Sequence, residues 1–337
     1  MERRLQRPTP YRISTITCNG DIGCPVSLKA FYKHLPVAQA NGWIFVELGL
    51  GEFRGLDPNV KRRNNPDRKN FVNQVTVIRD FGGNYRPNIK LFKNGNVHMT
   101  GIRSLEDGAK VVRMLADEIK HIAEMQERRA QERRAQEQEQ EQVEQEQEQA
   151  EQAEQEQAEQ EPEQEPEPVE PYIVEDVAKV TADNFKCRMI NCDFTTPFRI
   201  RRKDLHNMLI APPFNNISSF QPGTYPGVKI HYFWNALAPG GPASHGRCEC
   251  MQHGAENMCI GKGGGQGLGD CKKVTIAVFE SGKVLVTGAT SIEQVDAAYT
   301  WICNVLMQHA DRLQKVVYTL PVAERATPAE RGASVVA

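Results

Sequence analysis

Four cysteines, Cys248, Cys250, Cys259 and Cys271, crowd into one stretch with His245 and His253 beside them. Thiolates are soft ligands, and four of them satisfy tetrahedral zinc if a glycine-rich loop folds around the ion. The spacing is not a pair of Cys-x-x-Cys knuckles, so a zinc site and a loose reduced insert stand as alternatives. The run Gly261-Lys262-Gly263-Gly264-Gly265-Gln266-Gly267-Leu268-Gly269 suggests a phosphate cradle. It lacks the closing Gly-Lys-Ser/Thr and leads into a strand pattern rather than a helix, which argues against nucleotide binding. Nothing else in the chain sets a nucleophile beside a base, so the expectation is a protein that is not an enzyme.

A second group of residues could touch a flat partner. Asn88–Glu106 and Thr275–Glu293 match pairwise in Phe, Gly, Val, Thr, Gly, Ser and Glu at one constant offset. Each copy reads as strand, tight turn at Asn94-Gly95 or Ser281-Gly282, strand, then a helix capped by Ser104 or Ser291. This is an internal repeat of one supersecondary unit. Strand alternation divides each hairpin into two faces. Ile89, Leu91, Val97, Met99 and Ile276, Val278, Val284, Val286 form an apolar face that belongs against helices. The other parity carries Asn88, Lys90, Phe92, His98, Thr100 and Thr275, Ala277, Phe279, Leu285, Thr287. A free sheet face so apolar and thinly charged is unusual unless it binds something.

The elements that must position these residues follow from periodicity. Arg12–Cys18, Gly42–Leu48 and Phe71–Arg79 read as strands, Ser27–Leu35 as a short helix, and Lys61–Lys69 as a basic loop. Leu105, Ala109, Val112, Leu115, Ala116, Ile119 and Ile122 recur at helical spacing up to about Met125. The second half replays this with a strand at Phe185–Asp193, a helix at Arg201–Leu209 and a strand at Val228–Trp234. A helix from Ile292 to about Leu313 closes it. The division is a disordered lead (1–10), a first repeat (11–123) and a Gln/Glu-rich acidic linker (124–171). A second repeat (172–318) with a Cys/Gly-rich insert (236–271) and a disordered tail (319–337) follow. Two copies of strands followed by a long helix imply an α+β fold, an antiparallel sheet with helices on one face.

Composition adds a partner class. The formal net charge of −2 conceals a split: residues 124–170 carry 18 Glu and 4 Arg, a net −14, which leaves +12 on the rest. A basic body favours a polyanion such as nucleic acid, with a merely soluble surface as the plainer alternative. The linker is read as solvated, part helix and part extended Pro-Glu chain. The chain has no signal-peptide pattern and no run approaching ~18 apolar residues, so neither secretion nor a membrane is expected. Nine cysteines, an odd number, favour a reducing compartment.

The doubled Phe-x-x-Gly-x-x-x-x-Thr-Gly-x-x-Ser-x-Glu segment resembles the TATA-box-binding protein family. Cys192-Asp193-Phe194 with Pro197-Phe198-Arg199-Ile200, and Ile13-Ser14-Thr15-Ile16, are similar to the starts of its two repeats. The resemblance covers nearly all of 11–122 and 180–315; the linker and Cys insert are more like the divergent versions in large DNA viruses. It implies a two-repeat saddle, a curved antiparallel sheet with helices on the convex face and the concave face in a DNA minor groove. Apolar wedges between base steps bend the duplex in that mode. By similarity the wedge pairs are Phe71 with Phe92 and Tyr225 with Phe279, where Tyr225 departs from the family's Phe. Ile13, Thr15, Asn88, Lys90, His98 and Thr100 of the first repeat join them on the DNA side. Met189, Asn191, Thr275, Ala277, Leu285 and Thr287 of the second do the same. The family's paired Asn aligns with Tyr11 and Cys187, and two of its apolar positions with Lys90 and His98, so base preference is expected to differ from a plain TATA element. Lys90, Arg79, Lys93 and Lys283 are candidate phosphate contacts or plain solvated charges. The implied partners are A·T-rich double-stranded promoter DNA, transcription initiation factors and RNA polymerase, with a monomer on DNA. The implied location is a nucleus or viral replication compartment. A saddle that binds protein and has lost base reading is the alternative.

Overall fold

The computed structural model describes residues 7–49, 51–56, 73–151, 171–238, 241, 245–254 and 259–316. Phe71, the basic loop 61–69, the linker from 152 to 170 and the tail from 319 lie outside the described residues. In chain order the first repeat comprises β1 (Arg12–Asp21), α1 (Leu28–His34), β2 (Trp43–Leu48), β3 (Glu52–Gly55) and β4 (Gln74–Arg79). It ends with β5 (Asn88–Phe92), β6 (Asn96–Ile102) and α2 (Leu105–Glu151). The second comprises β7 (Lys186–Thr195), α3 (Arg202–Ile210), β8 (Ile217–Ser219) and β9 (Val228–Trp234). After it come β10 (Lys272–Val278), β11 (Lys283–Ala289), α4 (Ile292–Gln308) and a last turn α5 (Ala310–Leu313). The short edge strands β3 and β8 carry too few residues to show a period, and neither is evident in the sequence.

All eleven strands form one sheet in the order β3-β2-β4-β5-β6-β1-β7-β11-β10-β9-β8. The seam between repeats is the antiparallel pair β1–β7, and both strands show the same alternation of buried and half-buried positions. The hairpins form because a left-handed residue is needed at each turn. Gly95 and Gly282 adopt φ of 86° and 89°, and a Cβ on either would run into a carbonyl of the chain beneath it, Cys24 or Phe198. Each following helix starts on a serine hydroxyl: Ser104 accepts from Asp107 N at 3.0 Å and Ser291 from Gln294 N at 3.4 Å.

The helices share one side of the sheet, α2 against β1 and β6, α4 against β7, β9, β10 and β11. Ile89, Leu91, Val97, Met99, Ile276, Val278, Val284 and Val286 are fully buried beneath them, in a core continuous through both repeats. This is the two-repeat α+β saddle architecture. The apolar stripe of α2 ends near Ile122–Ala123, yet the helix runs on to Glu151, because Gln, Glu, Arg and Ala favour helix without tertiary support. Gln126 ties the two ends of this excursion: its Oε1 accepts from Ile173 N at 2.8 Å and its Nε2 donates to Pro171 O at 3.2 Å. Among the described residues no helix is long and apolar enough to cross a membrane.

Candidate nucleic-acid interface

The face opposite the helices begins, in the second repeat, with two rings. Tyr225 and Phe279 stand with centroids 5.8 Å apart and are both half-buried. Gly227 lies under them, where a Cβ would come within 2.9 Å of the Tyr225 ring and 3.2 Å of Phe279. Lys229 Nζ sits 4.1 Å from the Tyr225 centroid, a cation–π contact. The turn that carries Phe279 is anchored through Glu280, whose carboxylate is bound by Lys315 at 2.8 Å, Arg199 at 2.9 Å and Arg202 at 3.0 Å. The Lys315 hydrogen bond leads in holding that carboxyl below its ordinary pKa. Arg202 also donates to the carbonyl of Pro226, so one guanidinium joins the strand ends beneath both rings. In the first repeat Phe92 occupies the equivalent end of β5, half-buried opposite Gln74.

Between the ring-bearing ends run two rows of side chains that differ in chemistry. Across the first repeat, Thr76 pairs with Lys90, Lys90 with His98 and His98 with Asn19. With its amide turned to satisfy its neighbours, Asn19 donates to His98 Nδ1 at 2.9 Å and accepts from Arg188 Nε at 3.2 Å. Burial first, then Lys90 and Arg188, lowers the pKa of His98, so its imidazole is neutral at pH 7. Across the second repeat the corresponding row is Ala277, Leu285 and Asp193, with Ala277 opposite Leu285 and Leu285 opposite Asp193. Arg12 Nε reaches Asp193 at 3.2 Å. Asn88 opposite Thr100 and Thr275 opposite Thr287 complete the hairpin faces. At the seam Thr15 lies opposite Asn191 and Thr17 opposite Met189. Thr15 Oγ1 accepts from Gly101 N at 3.1 Å, while Asn191 Oδ1 is buried with no partner among the described residues.

Several residues lie elsewhere than the sequence reading has them. A register irregularity between Ile13 and Thr15 pairs Ile13 with Cys192, and Ile13 packs on the helix-side core instead of facing the bare side. Arg79 lies opposite Trp43 and stacks over its ring at 4.8 Å, on the helix side, so it is not a phosphate contact on the open face. Tyr11 donates to Asp296 at 2.7 Å, and burial together with that hydrogen bond pushes its phenol up to about 12. The face is also less bare than expected at the β2–β4 end, where Phe45 and Ile78 are 3 % exposed and Phe45 stacks on Phe53. Sequence reasoning missed Asn19, Arg188, Arg12, Asp193, Lys229 and Gly227. Carrying strict alternation along both seam strands would have found Asn19 and Asp193.

The cysteine stretch closes into a cluster. The four Sγ atoms of Cys248, Cys250, Cys259 and Cys271 lie within 4.8 Å of one another, and the last three are buried. Cys250 and Cys271 are 3.4 Å apart and Cys271 and Cys248 3.8 Å. Gly269 N donates to Cys250 Sγ at 3.3 Å and Asn235 Nδ2 to Cys271 Sγ at 3.5 Å, bonds that suit thiolates. His245 is engaged apart from them, accepting from Arg247 N at 3.1 Å and meeting Glu249 at 3.3 Å. The His253 side chain lies outside the described residues.

Comparisons with known proteins find similarity to TATA-binding proteins. A family model described as "Transcription factor TFIID (or TATA-binding protein, TBP)" matches residues 270–309, which hold the whole second hairpin and its helix. The chain is similar to the "TATA-box-binding protein-like" protein of Acanthamoeba polyphaga mimivirus, 23% identical over 309 residues. That match takes in 90% of this chain and 66% of the length of the mimivirus protein. Among solved structures, Methanococcus jannaschii TBP aligns with a TM-score of 0.41 and 12% identity, over 89% of this chain and 99% of the other. The family model and the mimivirus relative are similar to this chain in the same family that the two hairpins resemble.

Proposed function

We propose that this chain grips double-stranded DNA from the minor groove, bends it and serves as a promoter-recognition factor in transcription initiation. The observation that carries the reading is the pair of rings, Tyr225 and Phe279, held side by side at the end of a sheet face against which no α-helix packs among the described residues. Rings so placed can enter a base step, and unstacking of a few kcal/mol per step is offset by the surface then buried. The minor groove offers an A·T pair only acceptors, which Thr and apolar side chains can follow without strong donors. The names of the matched family model and of the mimivirus relative support the same class of role. On this reading the partners are A·T-rich promoter DNA, initiation factors and RNA polymerase, the protein acts as a monomer on DNA, and it works in a nucleus or viral replication compartment. It performs no catalysis. The four thiolates are read as the ligands of one structural zinc ion.

Fluorescence anisotropy on A·T-rich and G·C-rich duplexes, with end-to-end energy transfer, tests this. The expected result is A·T-favoured binding with a steep salt slope and a shortened end-to-end distance. Phe92→Ala with Phe279→Ala is expected to abolish the shortening while circular dichroism stays unchanged. Binding that leaves the duplex straight would refute the wedge assignment. The polar row Lys90, His98 and Asn19 favours a second reading, a saddle that docks a protein; absence of any duplex binding would select it.

A further inference from the structure

Strand alternation fixes which side of the sheet the thiol cluster occupies. Tyr232 and Trp234 of β9 belong to the helix-side core, whereas Phe233 between them is buried instead against Cys248, Cys250, Cys259 and Cys271. Phe233 lies directly opposite Lys273, His231 opposite Thr275 and Lys229 opposite Ala277. One continuous face therefore runs from the cluster, past Thr275 and Ala277, to the rings of Phe279 and Tyr225. The cluster stands at one end of β9 and β10 and the rings at the other.

Four thiolates around one zinc at ~2.3 Å put their sulfurs ~3.8 Å apart, close to the separations here and far from the ~2.05 Å of a disulfide. The insert's own apolar cluster is only Phe233 and the cysteines, while hydrogen bonds such as Asn216 Nδ2 to His245 O at 3.0 Å and Asn235 Nδ2 to Gly267 O at 2.7 Å tie its ends to the sheet. An ion bound by the four thiols would add its binding free energy to the order of this loop. Cys271 leads directly into Lys272 and Lys273, and the strand start is fixed to the loop where Lys273 N donates to Gly261 O at 2.9 Å and Lys262 bridges Lys272. Zinc with four thiolates carries a formal charge of about −2, so these lysines both offset the site and remain beside it.

We infer that the zinc knot is a rim of the DNA-facing surface, so that metal occupancy sets how tightly the second repeat holds a duplex. Bound metal fixes Cys271, Cys271 fixes the start of β10, and the start of β10 holds Lys273 toward the phosphates at the edge of the groove. The first repeat joins β4 to β5 through residues 80–87, without an insert or a second knot, so the coupling belongs to one half of the saddle. This inference rests on the DNA-binding and zinc readings above.

The test uses the full chain. Elemental analysis of purified protein is expected to give one zinc per chain, and anisotropy on an A·T-rich duplex is run before chelation, after it and after zinc is restored. Affinity is expected to fall on the order of tenfold on stripping and to recover, with the far-ultraviolet spectrum of the sheet retained. Lys273→Ala, which leaves every thiol in place, is expected to lose about threefold in affinity and about one in the salt slope while keeping its zinc. One zinc per chain with affinity unchanged on stripping overturns the inference and leaves the zinc reading standing. A Lys273→Ala variant with affinity and slope unaltered overturns it even if the stripped protein unfolds. A chain without zinc removes the metal reading and the inference together, and loaded protein that ignores DNA removes the DNA reading and with it the inference.

Discussion

Gly227 shows how much of the site turns on single atoms. A methyl group there would come within 2.9 Å of Tyr225 and 3.2–3.3 Å of Phe279, and both rings have room to move because they are half in water. Gly227→Ala is therefore expected to displace the rings at a cost to stability within about 1 kcal/mol. Its signature would be reduced bending by energy transfer with a melting temperature close to that of the parent; unchanged bending would mean that ring placement does not depend on this glycine. His98 gives a titration instead. Burial, and then Lys90 and Arg188, holds its folded pKa below 6.5, and His231 is lowered too, by burial and then Lys273. Below pH 6.5 the unfolded chain takes up protons that the native chain does not, so stability falls as pH drops through 6.5 toward the lowered values. Protonation also removes the acceptor that His98 Nδ1 offers Asn19. Urea midpoints are expected to be lower at pH 5.5 than at pH 7.5, with a smaller difference in His98→Gln; a midpoint that rises on acidification would contradict the assignment.

At the scale of elements, what repeats was legible and what is unique was not. The hairpins, their turns and the helix caps could be read because each is local and occurs twice. The apolar parity 89, 91, 97, 99 and 276, 278, 284, 286 turned toward helices as alternation requires. Ile13 could not be placed by alternation, since an irregularity of register leaves no mark in residue type. The side of the sheet on which the cysteines gather was equally hidden, because it depends on Phe233, a single apolar residue on a face that Lys229 and His231 otherwise make polar. The apolar stripe of α2, the signal of burial, ends about 28 residues before the helix does, so the part-helical linker could be read but not where its helix stops. Gln126 marks the true junction. Its amide satisfies the backbone of Ile173 and Pro171, so the 44 residues from 127 to 170 leave and return at one point. Gln126→Ala strands a buried N–H and is expected to cost about 1–3 kcal/mol by urea unfolding. Replacing residues 127–170 by a short flexible turn is expected to leave the unfolding midpoint nearly unchanged. A large loss on that deletion would show that the excursion supports the sheet.

Taken whole, the molecule is two copies of one unit joined through β1 and β7, yet the copies present different chemistry at matching places. Lys90, His98 and Asn19 occupy the first half, and Ala277, Leu285 and Asp193 the second. Each half borrows an arginine from the other, Arg188 on Asn19 and Arg12 on Asp193, so Asp193 meets a duplex with its charge already engaged. Guanine is distinguished in the minor groove by its 2-amino group, the one donor there. Against Ala277 and Leu285 that group finds no acceptor and is desolvated unpaired; in the first half Lys90 and the Nε2–H of His98 only donate, but the Asn19 carbonyl keeps a second lone pair beside the one that Arg188 takes and can accept it. On the DNA-binding proposal, a saddle of this kind is expected to bind in a single orientation, with a preference for A·T that belongs to the second half. Single G·C replacements along an A·T-rich duplex are thus expected to cost about 1–3 kcal/mol at positions in one half and less in the other. Inosine in place of guanine, which removes only the 2-amino group, should restore binding wherever guanine was costly. Converting the first half to the chemistry of the second, with Lys90→Ala and His98→Leu together, should extend the cost to both halves. Equal costs on the two sides of the unaltered protein, or inosine no better than guanine, would mean that sequence is read by the deformability of the duplex and not by these two rows.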